Sequence, residues 1–330
     1  AAGLYISYGS LHVYKGQPDV ALEYINKALA LIRAGGFHAT EAALRLPVLV
    51  AYFAAGRVGE GLVALQEPDG SRWGDSPITT ENYQSRGMPA MLLGLSGDLT
   101  RSRAEMLACL AESGRQQRSM SWVEAQLVEW AWHSGDFSEV LKRAERAVSE
   151  ARNFGSVFFQ ANARRALVDA YLMLRQPENA MQALGDFFAT SDDPASYSAF
   201  ADFGYAQLAE AQLQSGDTLA AIKTATTSVR RSEKQNDRLS LCRGWWVLAI
   251  SKQQAGDFAG AEAAWGELER CATNAGVFAF RPRWLEGRAS LARLTGDTLS
   301  AEQLMQGAQQ AFAEIGAHGH VSRLSALFAN

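Results

Sequence analysis

Cysteine is scarce in this sequence: Cys109, Cys242 and Cys271 are odd in number, far apart, and include no C-x-x-C pair. A disulfide framework and a structural zinc site are thereby excluded, and the three thiols read as small core side chains in a reducing, cytoplasmic compartment. Proline is also scarce, at 8 in 330 residues, and charges alternate in sign along the chain, a pattern of surface helices rather than tails. Long apolar runs are missing; the most apolar stretch, Leu46 to Ala55, carries Pro47 near its start and falls far short of a membrane span. Positive charge is not in excess, since 31 Lys+Arg against 35 Asp+Glu give a net charge of −4. A dedicated nucleic-acid module is therefore not expected.

Catalytic signatures are absent too. There is no G-x-x-x-x-G-K-[ST] phosphate loop, no G-x-G-x-x-G and no H-E-x-x-H. Of the histidines at 12, 38, 133, 318 and 320, only His318 and His320 are close, and on a helix they do not share a face. No metal site, no cofactor and no enzymatic activity are expected of this chain. It opens on Ala-Ala-Gly with neither an initiator Met nor a basic segment followed by an apolar one, as expected of a piece of a longer polypeptide.

What is present is material for a large core, with 48% hydrophobic and 20% charged residues over a length too great for one ordinary compact core. A Gly-polar turn between two helical patterns recurs at Gly16, Gly56, Gly97, Gly135, Gly216, Gly256 and Gly296, with Arg175 in the one vacant place, at intervals of 38 to 41 residues. Glycine ends a helix in the left-handed conformation without a Cβ penalty. The following residue is an aspartate in five units (Asp98, Asp136, Asp217, Asp257 and Asp297), suited to cap the next helix.

Five residues after each turn come Ala21, Gly61, Ser102, Val140, Ala180, Ala221, Ala261 and Ala301. Seven before it come Gly9, Leu49, Ala90, Val128, Val168, Ala209, Ala249 and Ala289. These mostly small residues let paired helices approach closely. Larger apolar residues follow four positions on, at Ile25, Leu65, Met106, Leu184, Trp265 and Met305. Each unit is a helical hairpin that cannot bury its apolar face alone, and stacking the units makes one continuous core. The expected fold is all-α, a right-handed superhelical solenoid of about eight tetratricopeptide-like hairpins, with a HEAT-like array as the alternative from the period alone.

The whole chain, 1–330, then forms a single array. Its repeats fall at about 1–37, 38–67, 87–118, 119–155, 156–191, 197–235, 238–275 and 278–316, followed by a cap at 318–330. Residues 68–86 lack an apolar period and read as an inter-repeat loop, Pro89 places the start of the next helix late, and Pro47 is a candidate kink.

The stretch Arg281 to Leu324 carries Arg288, Leu291, Ala292, Arg293, Leu294, Gly296-Asp297 and then Phe312-Ala-Glu-Ile-Gly-Ala-His-Gly-His320. It resembles the C-terminal tetratricopeptide-repeat sensor region of bacterial proteins that join a STAND-type ATPase and a class III nucleotide cyclase, and is related to LuxR-type regulators of the maltose-activator kind. Gly94 to Arg118 is similar to a middle repeat of that group. The resemblance implies a sensor arm that restrains an ATPase switch; no ATPase or cyclase segment occurs here, so only the sensor role carries over, with an upstream ATPase domain as the partner the resemblance suggests.

In tetratricopeptide arrays the first helix of each pair lines the concave groove. Six residues before the turn, three successive repeats offer Glu129, Asp169 and Glu210. Ten before it come Arg165 and Trp246; thirteen before it, Trp122, Asn162, Phe203, Arg243 and Arg283; and three before it, Trp132. Aromatic and mixed charged residues thus converge on repeats four to seven, a lining suited to a protein segment or small-molecule ligand, with no role for nucleic acid or membrane. Two alternatives remain open from the sequence: the carboxylates solvate an open groove, or Arg165 and Asp169 at i,i+4 merely pair with each other. The expected function is a non-catalytic sensor or binding domain of a multidomain signalling protein, with a free-standing interaction scaffold as the alternative.

Overall fold

A computed structural model describes residues 1–35, 47–65, 78, 83–154, 157–191 and 200–328. Helices come in antiparallel pairs across the recurring turns. The first four pairs are α1 (Ala2–Tyr14) with α2 (Pro18–Ala34), α3 (described over 47–54) with α4 (Val58–Ala64), α5 (Tyr83–Leu95) with α6 (Leu99–Arg115), and α7 (Ser121–Ser134) with α8 (Val140–Phe154). The next four are α9 (Val157–Met173) with α10 (Pro177–Ser191), α11 (Ala201–Gln214) with α12 (Thr218–Gln235), α13 (Arg238–Gln254) with α14 (Phe258–Ala275), and α15 (Arg281–Leu294) with α16 (Thr298–Glu314). A closing helix α17 (His318–Phe328) follows. No strand occurs among the described residues. The fold is an all-α superhelical solenoid of tetratricopeptide-like hairpins.

The turn chemistry works as the repeat requires. All seven turn glycines have positive φ, and Arg175 takes the same left-handed conformation at φ 58°. Asp98, Asp217, Asp257 and Asp297 each accept a hydrogen bond from the backbone N–H three residues on, at 2.9–3.1 Å. Asp136 does not cap in this way. It accepts instead from the Ser138 backbone N–H and hydroxyl, because α8 starts only at Val140 and the turn is longer there.

The small positions on both helices are buried, and Gly9 shows why: a Cβ there would lie 2.6 Å from Ile25 Cγ1. Three glycines make room for rings in the same manner, Gly87 for Trp122, Gly204 for Phe187 and Gly287 for Trp265. All three cysteines are free and buried, with the Sγ atoms of Cys242 and Cys271 3.5 Å apart.

One expectation about helix limits fails. Helix α5 begins at Tyr83 and runs through Pro89, so residues 83–86 are helical rather than loop. The missing proline N–H removes one ladder bond, and packing of the remaining turns carries the helix across it. The rest of the 68–86 segment lies outside the described residues apart from Ile78, and the stretch leading into Pro47 is likewise not described.

The coil is tight enough for distant repeats to touch. Arg238 donates its backbone N–H to the Ala55 carbonyl at 3.1 Å, and Leu99 donates to the Ile315 carbonyl at 3.2 Å. The α3/α4 turn therefore sits on the start of α13, and the α5/α6 turn sits on the end of α16. The first helices of the pairs consequently face a narrow lumen rather than a broad open groove.

Candidate functional site

The eleven residues placed in the groove by repeat counting all face or border this lumen, but they do not form one continuous open wall. Six of them make a buried barrier across it. Arg165 donates from Nη2 to Glu129 Oε2 at 2.8 Å and lies 3.9 Å from Asp169. Arg243 donates from Nη2 to Asp169 Oδ1 at 3.2 Å and to Glu210 Oε2 at 2.5 Å. Arg165 and Asp169 are each 1% exposed and Arg243 is 2% exposed. Phe203 closes the remaining space, with the Arg165 guanidinium 4.7 Å from its ring centre.

Of the two alternatives left open by the sequence, a solvated groove and a pairing with arginine, the structure shows the pairing, extended across repeats. The three carboxylates are aligned along successive repeats, but two arginines stand between them. Their burial removes the reading in which they only hydrate a groove. The i,i+4 contact between Arg165 and Asp169 is real, yet it is longer than the cross-repeat bonds on either side of it. Desolvating charges is costly, so such a chain persists only where each carboxylate has a close cation.

On one side of the barrier lies a cavity of about 740 Å³. Tyr14, Phe53, Met88, Trp122, Phe158, Phe159 and Phe200 give it an apolar surface, while Gln126 and Asn162 supply amide groups. Asn162 accepts from Arg165 through Oδ1, at 3.2 Å from Nη2. Its Nδ2 has no acceptor among the described residues, and the residue borders the cavity. Phe200 is held in the left-handed region at φ 67°, at the head of α11, and its ring packs on Phe158 at 5.2 Å.

On the other side is a more polar cavity of about 430 Å³, bordered by Trp132, Glu210, Trp246, Arg283 and His320. Trp132 and Trp246 meet edge to face at 5.2 Å. The guanidinium carbons of Arg283 and Arg243 lie 3.4 and 3.9 Å from the Trp132 ring centre. Buried His320 contacts the Trp132 carbonyl through Nε2 at 3.1 Å, and burial together with the Arg283 guanidinium pushes its pKa down to about 3. His133, also buried, is held well below the ordinary range, first by desolvation and then by Arg283 and Arg243.

Trp122 and Asn162 therefore belong to the apolar cavity, Trp132, Trp246 and Arg283 to the polar one, and Glu129, Arg165, Asp169, Phe203, Glu210 and Arg243 to the barrier, with Glu210 also bordering the polar cavity. Counting back from the turns missed Phe158 and Phe159, one helical turn before the positions considered, and also His320 and Arg323, which come from the closing helix. Among the described residues no cluster of three or more His, Cys, Asp or Glu could hold a metal, and no helix is long and apolar enough to cross a membrane.

No protein-family model matches the chain, and no curated protein matches its sequence. Among solved structures 53 chains match. One is a Rap protein complexed with Competence and Sporulation Factor, with a TM-score of 0.62 at 10% identity, covering 99% of this chain and 98% of that one. Another is a signal transduction ATPase with numerous domains (STAND) from Pyrococcus horikoshii with a tetratricopeptide repeat sensor. It has a TM-score of 0.51 at 11% identity and is matched over 99% of this chain, which spans 50% of that protein. The likeness is to tetratricopeptide-repeat folds and extends along the whole solenoid.

Proposed function

We propose that this chain is a non-catalytic sensor domain that binds a short peptide in the lumen of its solenoid, entering through the apolar cavity. The observation carrying this reading is the pairing of about 740 Å³ of aromatic-lined space with the Nδ2 of Asn162, which has no acceptor among the described residues. Apolar surface takes ligand side chains, and a fixed amide donor takes a carbonyl, the combination expected of a ligand pocket. Repeat-array fold supports the same reading, since a Rap protein of like fold is seen complexed with Competence and Sporulation Factor. The likeness to a STAND sensor supports a place beside an ATPase in a larger cytoplasmic signalling protein.

The test is affinity selection of a random pentapeptide library on the full chain, read by mass spectrometry, with Phe159→Ala beside the wild type. Phe159 is only half-buried, so its truncation removes cavity surface at less cost to the core than loss of buried Phe158, and thermal unfolding checks that the variant is folded. Enrichment of apolar peptides by the wild type and about tenfold weaker capture by Phe159→Ala is expected, from the area of a ring removed from the contact. Equal capture by both proteins contradicts the assignment.

A further inference from the structure

The polar cavity beyond the barrier has a feature that the peptide-sensor reading does not use. Three guanidiniums, Arg175, Arg283 and Arg323, border it together with two carboxylates, Glu210 and Glu286. Both carboxylates are already committed. Glu210 accepts from Arg243, and Glu286 accepts from Arg323 through both oxygens at 2.8 Å. Among the described residues, Arg283 and Arg175 have no carboxylate within ion-pair distance.

Arg283 is the deeper of the two. Its Nη2 donates to the Trp132 carbonyl and lies 3.3 Å from His320 Nε2, whereas its buried Nε has no acceptor among the described residues. Its guanidinium carbon lies 3.4 Å from the Trp132 ring centre and 5.5 Å from that of Trp246, so water has limited access to the charge. Burial and the neighbouring Arg243 pull its pKa down from the usual arginine value, the mark of a cation lacking a close counter-ion. Arginine remains protonated at neutral pH even so. The neighbouring imidazole stays neutral there, as its depressed pKa shows, so His320 adds no competing positive charge and no anion.

We infer that this cavity is a carboxylate-binding subsite, in which the Arg283 guanidinium grips the carboxylate of a ligand while Trp246 packs beside it and Arg175 at the rim attracts it. The chemistry is shared by two sources, the C-terminal carboxylate of a peptide and a small carboxylic acid. Charge-assisted bonds to guanidinium are the strong ones, and a desolvated arginine without a partner gains most from them. The subsite deepens the lumenal-sensor reading and rests on it. Its geometry continues the lumen, because Glu210 and Trp132 border the cavity and both contact Arg243 of the barrier.

The experiment selects on the full chain with three probes: a pentapeptide library with free C-termini, the same library amidated at the C-terminus, and a panel of aliphatic and aromatic monocarboxylic acids. Retention of free-carboxylate peptides with loss of the amidated ones identifies the peptide source. Retention of the acids alone identifies the small-molecule source. In either case Arg283→Gln weakens capture about tenfold or more, the effect of losing a charge-assisted bond. Arg283→Lys, which keeps the charge, retains part of it, and it replaces the glutamine variant if thermal unfolding shows that variant misfolded.

Equal capture of free and amidated peptides, or capture unchanged in Arg283→Gln, overturns the subsite. If in that event Phe159→Ala still releases the peptides, the apolar-cavity reading stands alone. Failure to retain any of the three probes overturns both.

Discussion

Replacing Arg243 by methionine removes the only close cation of Glu210 among the described residues and one of the two cations of Asp169, while a side chain of similar length keeps most of the packing. Both carboxylates are buried, so neither regains water when the guanidinium is lost. Breaking a buried pair from one side costs about 3–5 kcal/mol, against about 0.2–1 kcal/mol for an exposed one. Loss of the cation from the Trp132 and Trp246 rings adds about 1 kcal/mol. Urea unfolding followed by tryptophan fluorescence and circular dichroism reads the change. The two probes together also show whether the array unfolds as one unit, which repeat proteins do not always do. Adding Asp169→Asn and Glu210→Gln to Arg243→Met should recover part of the loss, because the stranded charges are then gone. A loss below about 1 kcal/mol for Arg243→Met refutes the buried barrier and returns the carboxylates to a hydrated groove.

Acid should weaken the fold between pH 6.5 and 5. His133 and His320 are held neutral in the folded state but take up protons on unfolding, so each forfeits about 1.4 kcal/mol of stability per pH unit as pH falls through this window. Asp237, raised to about 6 by burial, works the other way, since the folded state takes its proton first and gains as pH falls from 6 towards 4. His320→Asn should therefore flatten the acid slope measured by urea midpoints, and an unchanged slope contradicts the assignment. Alanine at Gly56 and at Gly216 imposes the same positive φ, but only at Gly56 does the new Cβ fall on the backbone of Leu239. Gly216→Ala should cost about 1 kcal/mol and Gly56→Ala at least about twice that in thermal unfolding, with equal losses contradicting the inter-repeat contact. Far-ultraviolet circular dichroism should show an almost wholly helical chain, and a substantial strand signal contradicts the fold.

The hairpin architecture was legible because the turn glycines and the small residues around them repeat at nearly fixed intervals, and the structure buries those small positions throughout. Arg175 could be placed in the vacant turn by period alone, and its left-handed φ of 58° agrees. Asp136 was misread as a cap because sequence spacing does not reveal that its turn is longer. Repeat counting names Trp132, Arg243 and Arg283, and the structure brings the two guanidiniums against the Trp132 ring. Their charge state as a set was not legible. Arg243 reaches Asp169 across 74 residues, a pairing fixed by the pitch of the coil and invisible to repeat counting. His320 was equally hidden, since it enters the lumen only because α17 folds back onto α7 at the Trp132 carbonyl.

The most direct measurement is a crystal structure of the full chain with a pentapeptide recovered from the library. Lumenal binding predicts peptide density among Phe159, Trp122 and Asn162, with a carbonyl within hydrogen-bond distance of Asn162 Nδ2. Density confined to the convex face formed by the second helices of the pairs contradicts it.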